Sequence, residues 1–329
     1  MSLTIKDVAE KAGVSVTTVS RVLNNRGYIS NETRKNVMKT MEELNYTPNE
    51  MARSFLSAKT RFIALIVPTT ENPFFGELTF HIEKELAQKG YNLFICNSLN
   101  DVDNEKKYLS LLQEKRVDGV IVGSHNINID EYKYFENKIV SIERELTEGI
   151  PIVQSDNYLG GKLATQELID KGCKRILCIR GDQHMSTPAN KRAIAYKDIM
   201  EKNGLNHSFL EIPFQLSDEE KQAKVDKLFN GQFVYDGIVA GDDIIAKMCM
   251  NSAINHNISI PEQLKVIGFD GTKIVRQLNP ELSTVIQPIE ELAQKAVEIL
   301  LALLNQENVE LKTTLPVALF LSNSISKSK

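Results

Sequence analysis

The stretch IKDVAEKAGVSVTTVSRVLN, residues 5–24, decides how this chain is read. Ile5, Val8, Ala9 and Ala12 recur at i, i+3, i+4 and i+7, which lines them along one stripe of a helix. Thr4 stands just ahead of that stripe with Asp7 three residues on, the spacing at which a hydroxyl and a carboxylate close a helix start. Gly13 breaks the pattern. Ser15 can then cap a second helix whose apolar positions are Val19, Val22 and Leu23. A helix, a tight turn through Ala12, Gly13 and Val14, and a second helix make a helix-turn-helix. A third helix is expected from a cap at Ser30 to an end at Tyr46 and Pro48. Its face of Val37, Met41 and Leu44 covers the apolar side that the first two cannot bury alone.

The polar side of the second helix carries the chemistry. Val16, Thr17 and Arg21 project away from the Val19, Val22 and Leu23 stripe. A helix lying in the DNA major groove needs such a face, because Arg bonds guanine bidentately while Thr and Val meet the thymine methyl. Ser15, Thr18, Ser20 and Asn24 can bond phosphates, which sets register rather than sequence. Charge is distributed accordingly. The chain carries −4, yet residues 1–60 hold nine Lys and Arg against six Asp and Glu, a net +3, which leaves −7 on the remainder. A mildly basic end on an acidic body suits a protein that touches phosphate with one end only.

Working outward, residues 49–60 read as a short amphipathic segment followed by a polar linker, with a boundary near Lys59. From Phe62 the pattern changes. Short apolar runs at 62–67, 92–96, 119–122, 139–142, 152–155, 175–179, 237–240 and 265–269 alternate with amphipathic stretches at 75–89, 104–115, 160–171, 191–203 and 242–255. Continuous apolar strands alternating with helices predict parallel sheets covered on both faces, and the run is long enough for two. Ligands of such sheets sit beyond the strand C-termini.

The bulk properties exclude several classes. With 42% hydrophobic and 25% charged residues the chain reads as globular. No apolar run approaches the roughly 18 residues of a membrane span, and the N-terminus lacks a signal-peptide core. A cytoplasmic location is therefore expected and a secreted binding protein disfavoured. Cys96, Cys173, Cys178 and Cys249 are scattered, without His partners at zinc-ligand spacing, so they are expected to be core thiols. No metal or cofactor is expected. The first strand runs into PTTENP at 68–73 rather than a Gly-rich phosphate loop, and there is no Walker A loop or Gly-x-Ser-x-Gly elbow, so an α/β enzyme is disfavoured.

Residues 5–24 as a unit resemble the headpiece signature of the lactose/galactose repressor family. The match continues through Thr33-Arg34, residues 43–46, Pro48-Asn49 and residues 52–54. It then runs through Asp118-Gly119, Asp156-Asn157, Gly160-Gly161, residues 268–270 and Gln287-Pro288, in family order over essentially the full chain. The resemblance implies an all-α helix-turn-helix headpiece over 1–48 and a hinge helix and linker over 49–60. It also implies an α/β effector-binding and dimerisation domain of periplasmic-binding-protein type over 61–329. That domain would comprise two doubly wound parallel-sheet subdomains, an N-subdomain of about 61–157 and 288–316 and a C-subdomain of about 158–287 and 317–329, with crossings near Asn157, Gln287 and Pro316.

The function so implied is a sequence-specific transcriptional repressor, a homodimer with a tetramer left open, on near-palindromic double-stranded operator DNA. Its hinge, residues 50–56, would fold on DNA and wedge an apolar side chain into the minor groove, Phe55 with Leu56 beside it, while Asn49, Ala52 and Arg53 add DNA contacts. A small effector would switch operator affinity, with a sugar or sugar phosphate inducer expected first and a corepressor or phosphoprotein partner as the alternative. By family position Phe74 and Phe75 pack on the ligand ring and Arg192 reaches in from the second subdomain. Asp270, ending the VIGFD strand, can accept two hydroxyl bonds. Glu143 stands where the family has Asp, and Ser124, Phe214 and Asp242 follow by position. Gly241 stands where sugar-binding relatives often carry Asn, Ser322 replaces a common Arg, and Ser186 replaces an Arg of a purine-binding relative, which disfavours a purine.

Overall fold

The computed structural model describes residues 3–24, 27–46, 59–126, 129–183, 185, 187–231 and 233–326. They fall into two compact units, Met1–Thr60 and Arg61–Lys329.

The first unit contains α1 (Ile5–Ala12), α2 (Val16–Asn24) and α3 (Asn31–Glu43). Each start is closed by the residue that the sequence offers. The Asp7 carboxylate accepts from the Thr4 backbone N–H at 2.6 Å and from its hydroxyl at 2.7 Å. Ser15 Oγ accepts from Thr18 N–H, and Ser30 Oγ from Thr33 N–H, both at 3.1 Å. Gly13 adopts a left-handed φ of 65°, and the Val14 N–H turns back to the Ala9 carbonyl at 3.0 Å, which stops α1 and sets the tight turn. Val8, Ala9, Ala12, Val19, Val22, Val37 and Met41 form the buried core. Polar contacts tie α3 to the other helices: Asn36 Nδ2 donates to the Ala12 carbonyl at 2.8 Å, Arg34 Nη1 to the Val22 carbonyl at 3.3 Å, and Glu43 pairs with Lys11 at 3.0 Å.

The second unit has two six-stranded sheets. The first uses β1 (Phe62–Val67), β2 (Asn92–Asn97), β3 (Gly119–Val122), β4 (Ile139–Ile142), β5 (Ile152–Ser155) and β11 (Lys312–Leu315) in the order β11-β5-β4-β3-β1-β2, all parallel. The second uses β6 (Ile176–Arg180), β7 (Ser208–Glu211), β8 (Gly237–Val239), β9 (Lys265–Asp270), β10 (Ser283–Ile286) and β12 (Ala318–Phe320) in the order β12-β10-β9-β8-β6-β7. Only β12 runs antiparallel to its neighbour. The chain passes from the first sheet to the second between Ser155 and Asn157, returns after Ile286, and passes over again between Leu315 and Ala318.

Strand β1 shows why its residues read as one apolar run. Ile63, Leu65 and Val67 pack under α4 (Pro73–Gln88) and α11 (Ile289–Leu304), while Ala64 and Ile66 pack under α5 (Val102–Gln113). Both faces are dry, so neither alternate set is polar. The second sheet lies between α8 (Asp218–Phe229) with α9 (Asp243–Asn255) on one face and α6 (Asn157–Asp170) with α7 (Asn190–Lys202) on the other. A short α10 (Lys273–Leu278) follows β9.

The eight expected strands are present, with ends displaced by no more than one residue. Four strands lay outside the sequence reading. Of these β7, β11 and β12 are sheet edges that keep part of their surface in water, so they lack a solid apolar run. β10 is interior, but Ser283 and Thr284 begin it, and their hydroxyls are spent on the Ser322 carbonyl and the Asp243 carboxylate. All four cysteines are free and buried, and burial pushes the Cys178 thiol up to about 12 and those of Cys96 and Cys173 up to about 11, so they are inert core groups. Among the described residues no helix is long and apolar enough to cross a membrane.

Candidate functional site

The exposed side of α2 carries the side chains expected there. Val16 is 41% exposed, Thr17 and Arg21 are exposed, and Thr18 and Ser20 are half-buried. Ser15 is committed more deeply than its sequence position suggests. Its Oγ caps α2 and lies 2.9 Å from Thr18 Oγ1, so the two hydroxyls share one hydrogen bond and retain only part of their capacity for a phosphate. The side chain of Asn24 and all of Asn49, Ala52, Arg53, Phe55 and Leu56 lie outside the described residues, as does Ser186.

Seven of the eight expected effector residues surround one cavity of about 180 Å³ between the two sheets. Phe74 and Phe75 enter on the first turn of α4, where Pro73 occupies the first helical position and Asn72 caps by accepting from the Phe74 N–H at 2.9 Å. Glu143 follows β4, Phe214 follows β7, Asp242 caps α9 after β8, Asp270 ends β9, and Arg192 lies in the first turn of α7. All but Arg192 stand at or just beyond strand C-termini, where a parallel sheet leaves its ends open.

Ser124 is the exception and is corrected. It is fully buried outside the cavity, where its hydroxyl serves the Glu105 carboxylate and accepts from Arg144 Nη1 at 2.7 Å. Position along the chain was one residue off, for it is the neighbouring His125 that lines the cavity. Other lining groups carried no expectation, among them Arg180, Lys221 and Gln287. Gln287 was visible only as half of a motif whose purpose spacing cannot supply.

Hydrogen bonds join the two walls through the chain crossings. Glu143 accepts from the Ser155 backbone N–H and from Asn157 Nδ2 at 2.8 Å. Ser155 Oγ donates to Gln287 Oε1 at 2.7 Å, and Gln287 Nε2 donates to Asp270 Oδ1 at 2.7 Å. Arg192 Nε donates to Asn157 Oδ1 at 2.6 Å and its Nη1 to the Gly241 carbonyl at 2.9 Å, with the guanidinium 3.4 Å from the centroid of the Phe269 ring. One carboxylate from each half of the unit thus hangs on residues of the first two crossings. The paired glycines make this possible. A Cβ on Gly161 would stand 2.3 Å from the Arg192 carbonyl oxygen, and one on Gly160 would stand 2.6 Å from the Phe269 ring. Gly241 fits the same way, since a side chain there would press on the Ile179 carbonyl at 3.1 Å.

The site is strongly acidic for its depth. Burial raises Glu143, Asp242 and Asp270 above the ordinary carboxylate range, against the pull of the Arg192 charge, and burial pushes Asp243, just behind, up to about 7. Burial also lowers Arg192, which the same four carboxylates offset. Glu143 and Asp270 hold positive φ values of 53° and 105°, a backbone that non-glycine residues adopt at a cost of about 1–3 kcal/mol and keep where the surroundings over-determine it. His125 is held neutral, with burial lowering it to about 4, and its ring meets Phe214 at 5.3 Å and Phe75 at 6.0 Å edge-on. Aromatic edges, carboxylates and one guanidinium around a small cavity suit a ring bearing several hydroxyls. Among the described residues no group of His, Cys, Asp and Glu could hold a metal ion.

Comparison with known proteins agrees with this architecture. Residues 4–49 match the model of bacterial regulatory proteins, lacI family, and residues 165–322 that of the periplasmic binding protein-like domain. The chain is 42% identical over 317 residues to the sucrose operon repressor of Pediococcus pentosaceus, covering 96% of this chain and 97% of that one. It is 34% identical, with a TM-score of 0.72, to a periplasmic binding protein/LacI transcriptional regulator of Alkaliphilus metalliredigens complexed with D-xylulofuranose, covering 80% of this chain and 98% of the other. The fold also matches the lac repressor dimer bound to operator and the anti-inducer ONPF, with a TM-score of 0.85 over 99% of each chain at 22% identity.

Proposed function

The chain belongs to the lacI family of bacterial regulatory proteins, and from that premise we propose that it is a sugar-operon repressor that binds operator DNA as a homodimer and releases it when a sugar occupies the cavity. The reading of DNA falls to α2, with Arg21, Thr17 and Val16 facing base edges and Thr18 and Ser20 facing phosphate. The effector falls to Phe74, Phe75, Glu143, Arg192, Phe214, Asp242 and Asp270.

The observation that carries the reading is the bonding of Glu143 and Asp270 to Ser155, Asn157 and Gln287 at the chain crossings. A polyol that donates hydroxyls to these carboxylates competes with the bonds that set the angle between the two halves. A ligand moves such an equilibrium only by its difference in affinity for the two arrangements. An inducer therefore binds the arrangement that does not hold DNA more tightly, and by linkage DNA lowers its affinity by the same factor.

A second copy of the chain is supported by an exposed apolar stripe. Phe94 and Ile95 on the edge strand β2 and Phe80 on α4 are exposed, as are Ile274 and Leu278 on α10. The Lys273 N–H donates to Glu77 Oε2 at 2.7 Å, which joins α10 to α4 across the two halves. Aliphatic and aromatic surface of this kind marks an interface. Fluorescence anisotropy of a labelled operator tests the proposal. Sucrose, ribose and other sugars are titrated into the complex, and release by at least one is the expected result. Tightening would mean a corepressor instead, and indifference to every sugar would refute a sugar effector.

A further inference from the structure

A second cavity of about 230 Å³ opens beside the first, and the two share His125, Met185 and Thr187 as a common wall. Its floor is prebuilt. Arg144 Nη1 bonds Glu105 Oε1 at 2.7 Å, the Tyr132 hydroxyl bonds the same carboxylate, and the Arg144 guanidinium lies 5.4 Å from the Tyr132 ring centroid. Glu105 is fully buried and Arg144 is 6% exposed, so neither is available to a ligand as a free charge. What they do is hold the segment on either side of His125, since Glu105 also accepts from Asn126 Nδ2 at 2.8 Å and Arg144 donates to the Ser124 carbonyl at 2.9 Å. Above this floor stand Asp130, Lys133, Glu145 and Thr147, a rim of mixed donors and acceptors. His125 is common to both linings, and its Nδ1 is buried, with no hydrogen-bond partner among the described residues.

We infer that the two cavities are two compartments of one effector site, that the effector is a two-ring glycoside, and that the His125 ring packs on it where the rings join. The inference rests on the sugar-effector reading above and goes further by setting the size class of the sugar. The inner compartment takes one ring between the aromatic edges and the carboxylates. The outer one takes the second ring against its polar rim. Volume agrees, for neither cavity alone reaches the roughly 300–1,000 Å³ usual for small-molecule sites, whereas the two joined do. The outer rim offers the Asp130 and Glu145 carboxylates, the Lys133 ammonium and the Thr147 hydroxyl to the hydroxyls of a second sugar ring, with Ile129 and Leu146 beside them for its apolar face.

Isothermal titration of the full-length repressor tests this with sucrose, maltose, lactose and cellobiose, each beside its component monosaccharides. At least one disaccharide is expected to bind about tenfold or more tighter than either of its components, the increment of one or two further hydrogen bonds. Glu145→Trp places a ring in the outer compartment at an exposed position. The ion pairs lost there, to Lys191 at 3.7 Å and Lys312 at 3.9 Å, are surface pairs of small worth. It should erase the disaccharide's advantage, and Lys133→Trp, from the opposite rim, should do the same. A monosaccharide binding as tightly as every disaccharide would overturn the two-compartment site while leaving the sugar-effector reading intact. So would a Glu145→Trp and a Lys133→Trp that both preserve the disaccharide's advantage. Failure of every sugar to bind or to move operator affinity would overturn both.

Discussion

Asp270 stands at the meeting point of the hydrogen-bond network, and a single atom exchange tests its role. Asp270→Asn keeps an oxygen for Gln287 Nε2 but removes the second acceptor and the charge that a polyol would use. The expected outcome is an operator affinity within about twofold of wild type and a sugar titration that no longer releases DNA, with a loss of about 1.5–3 kcal/mol for bonds to a charged group. An unaltered release curve would show that Asp270 does not meet the effector. At the DNA end, Arg21→Ala should cost about 1–3 kcal/mol at one base pair and relax the preference there. Equal losses on every operator variant would assign Arg21 to phosphate. Asp243 gives a pH signature. Its carboxyl sits at about 7 in the folded chain against about 3.9 unfolded, so the folded state holds a proton that the unfolded state has lost. Stability therefore falls as pH rises from about 4 to about 7 and is flat above that, by up to about 4 kcal/mol from this group. Asp243→Asn cannot ionise, so the melting temperature of the variant relative to wild type should climb between pH 5 and pH 7.5. A difference independent of pH would remove Asp243 as the cause.

At the scale of elements, the approach of α6 to α7 governs where Arg192 stands. Gly161→Ala puts a methyl carbon within bonding-clash range of the Arg192 backbone, and the obstructing atoms are backbone, which cannot swing aside. The two helices must separate, at a typical cost of about 1–3 kcal/mol for overpacking. Arg192 then moves away from Asn157 and Phe269. Urea unfolding should show the loss of stability, and sugar titration should show weakened binding in the same variant. Weakened stability with unchanged sugar affinity would mean that α7 does not position the site. The headpiece follows the same logic on a smaller scale. Its three helices start at Thr4, Ser15 and Ser30, and its turn is set by the left-handed Gly13, so nearly every boundary is a local event.

For the whole molecule, the apolar stripe over β2, α4 and α10 should bring two copies together. Ile95, half exposed on an unpaired sheet edge, is a position where a charge does not disturb the core of the subunit. Ile95→Lys should shift the sedimentation of the chain from dimer toward monomer, while its melting in dilute solution follows only the loss of association. Operator affinity should fall sharply, because two half-sites no longer share one ligand. A dimer that survives Ile95→Lys and Leu278→Glu together would place the interface elsewhere.

The residues at the cavity are implied by the family resemblance and not by local pattern. By itself the sequence determined the helix-turn-helix and eight of the strands, seven of them buried on both faces. These are written locally, as caps, a glycine and apolar periodicity, so neighbours along the chain suffice to read them. Tertiary structure alone decided the rest. Edge strands such as β7 and β11 carry no solid apolar run, so only their partners reveal them. Whether Ser124 or His125 faces the cavity depends on a buried carboxylate, Glu105, contributed by a different helix. The purpose of Asn157, Gly161 and Gln287 exists only once residues more than thirty or a hundred positions apart are brought within 3 Å, as Arg192 is to Asn157 and Ser155 is to Gln287. A bond between distant residues has no periodicity along the chain, and that is why no reading of the chain alone could contain it.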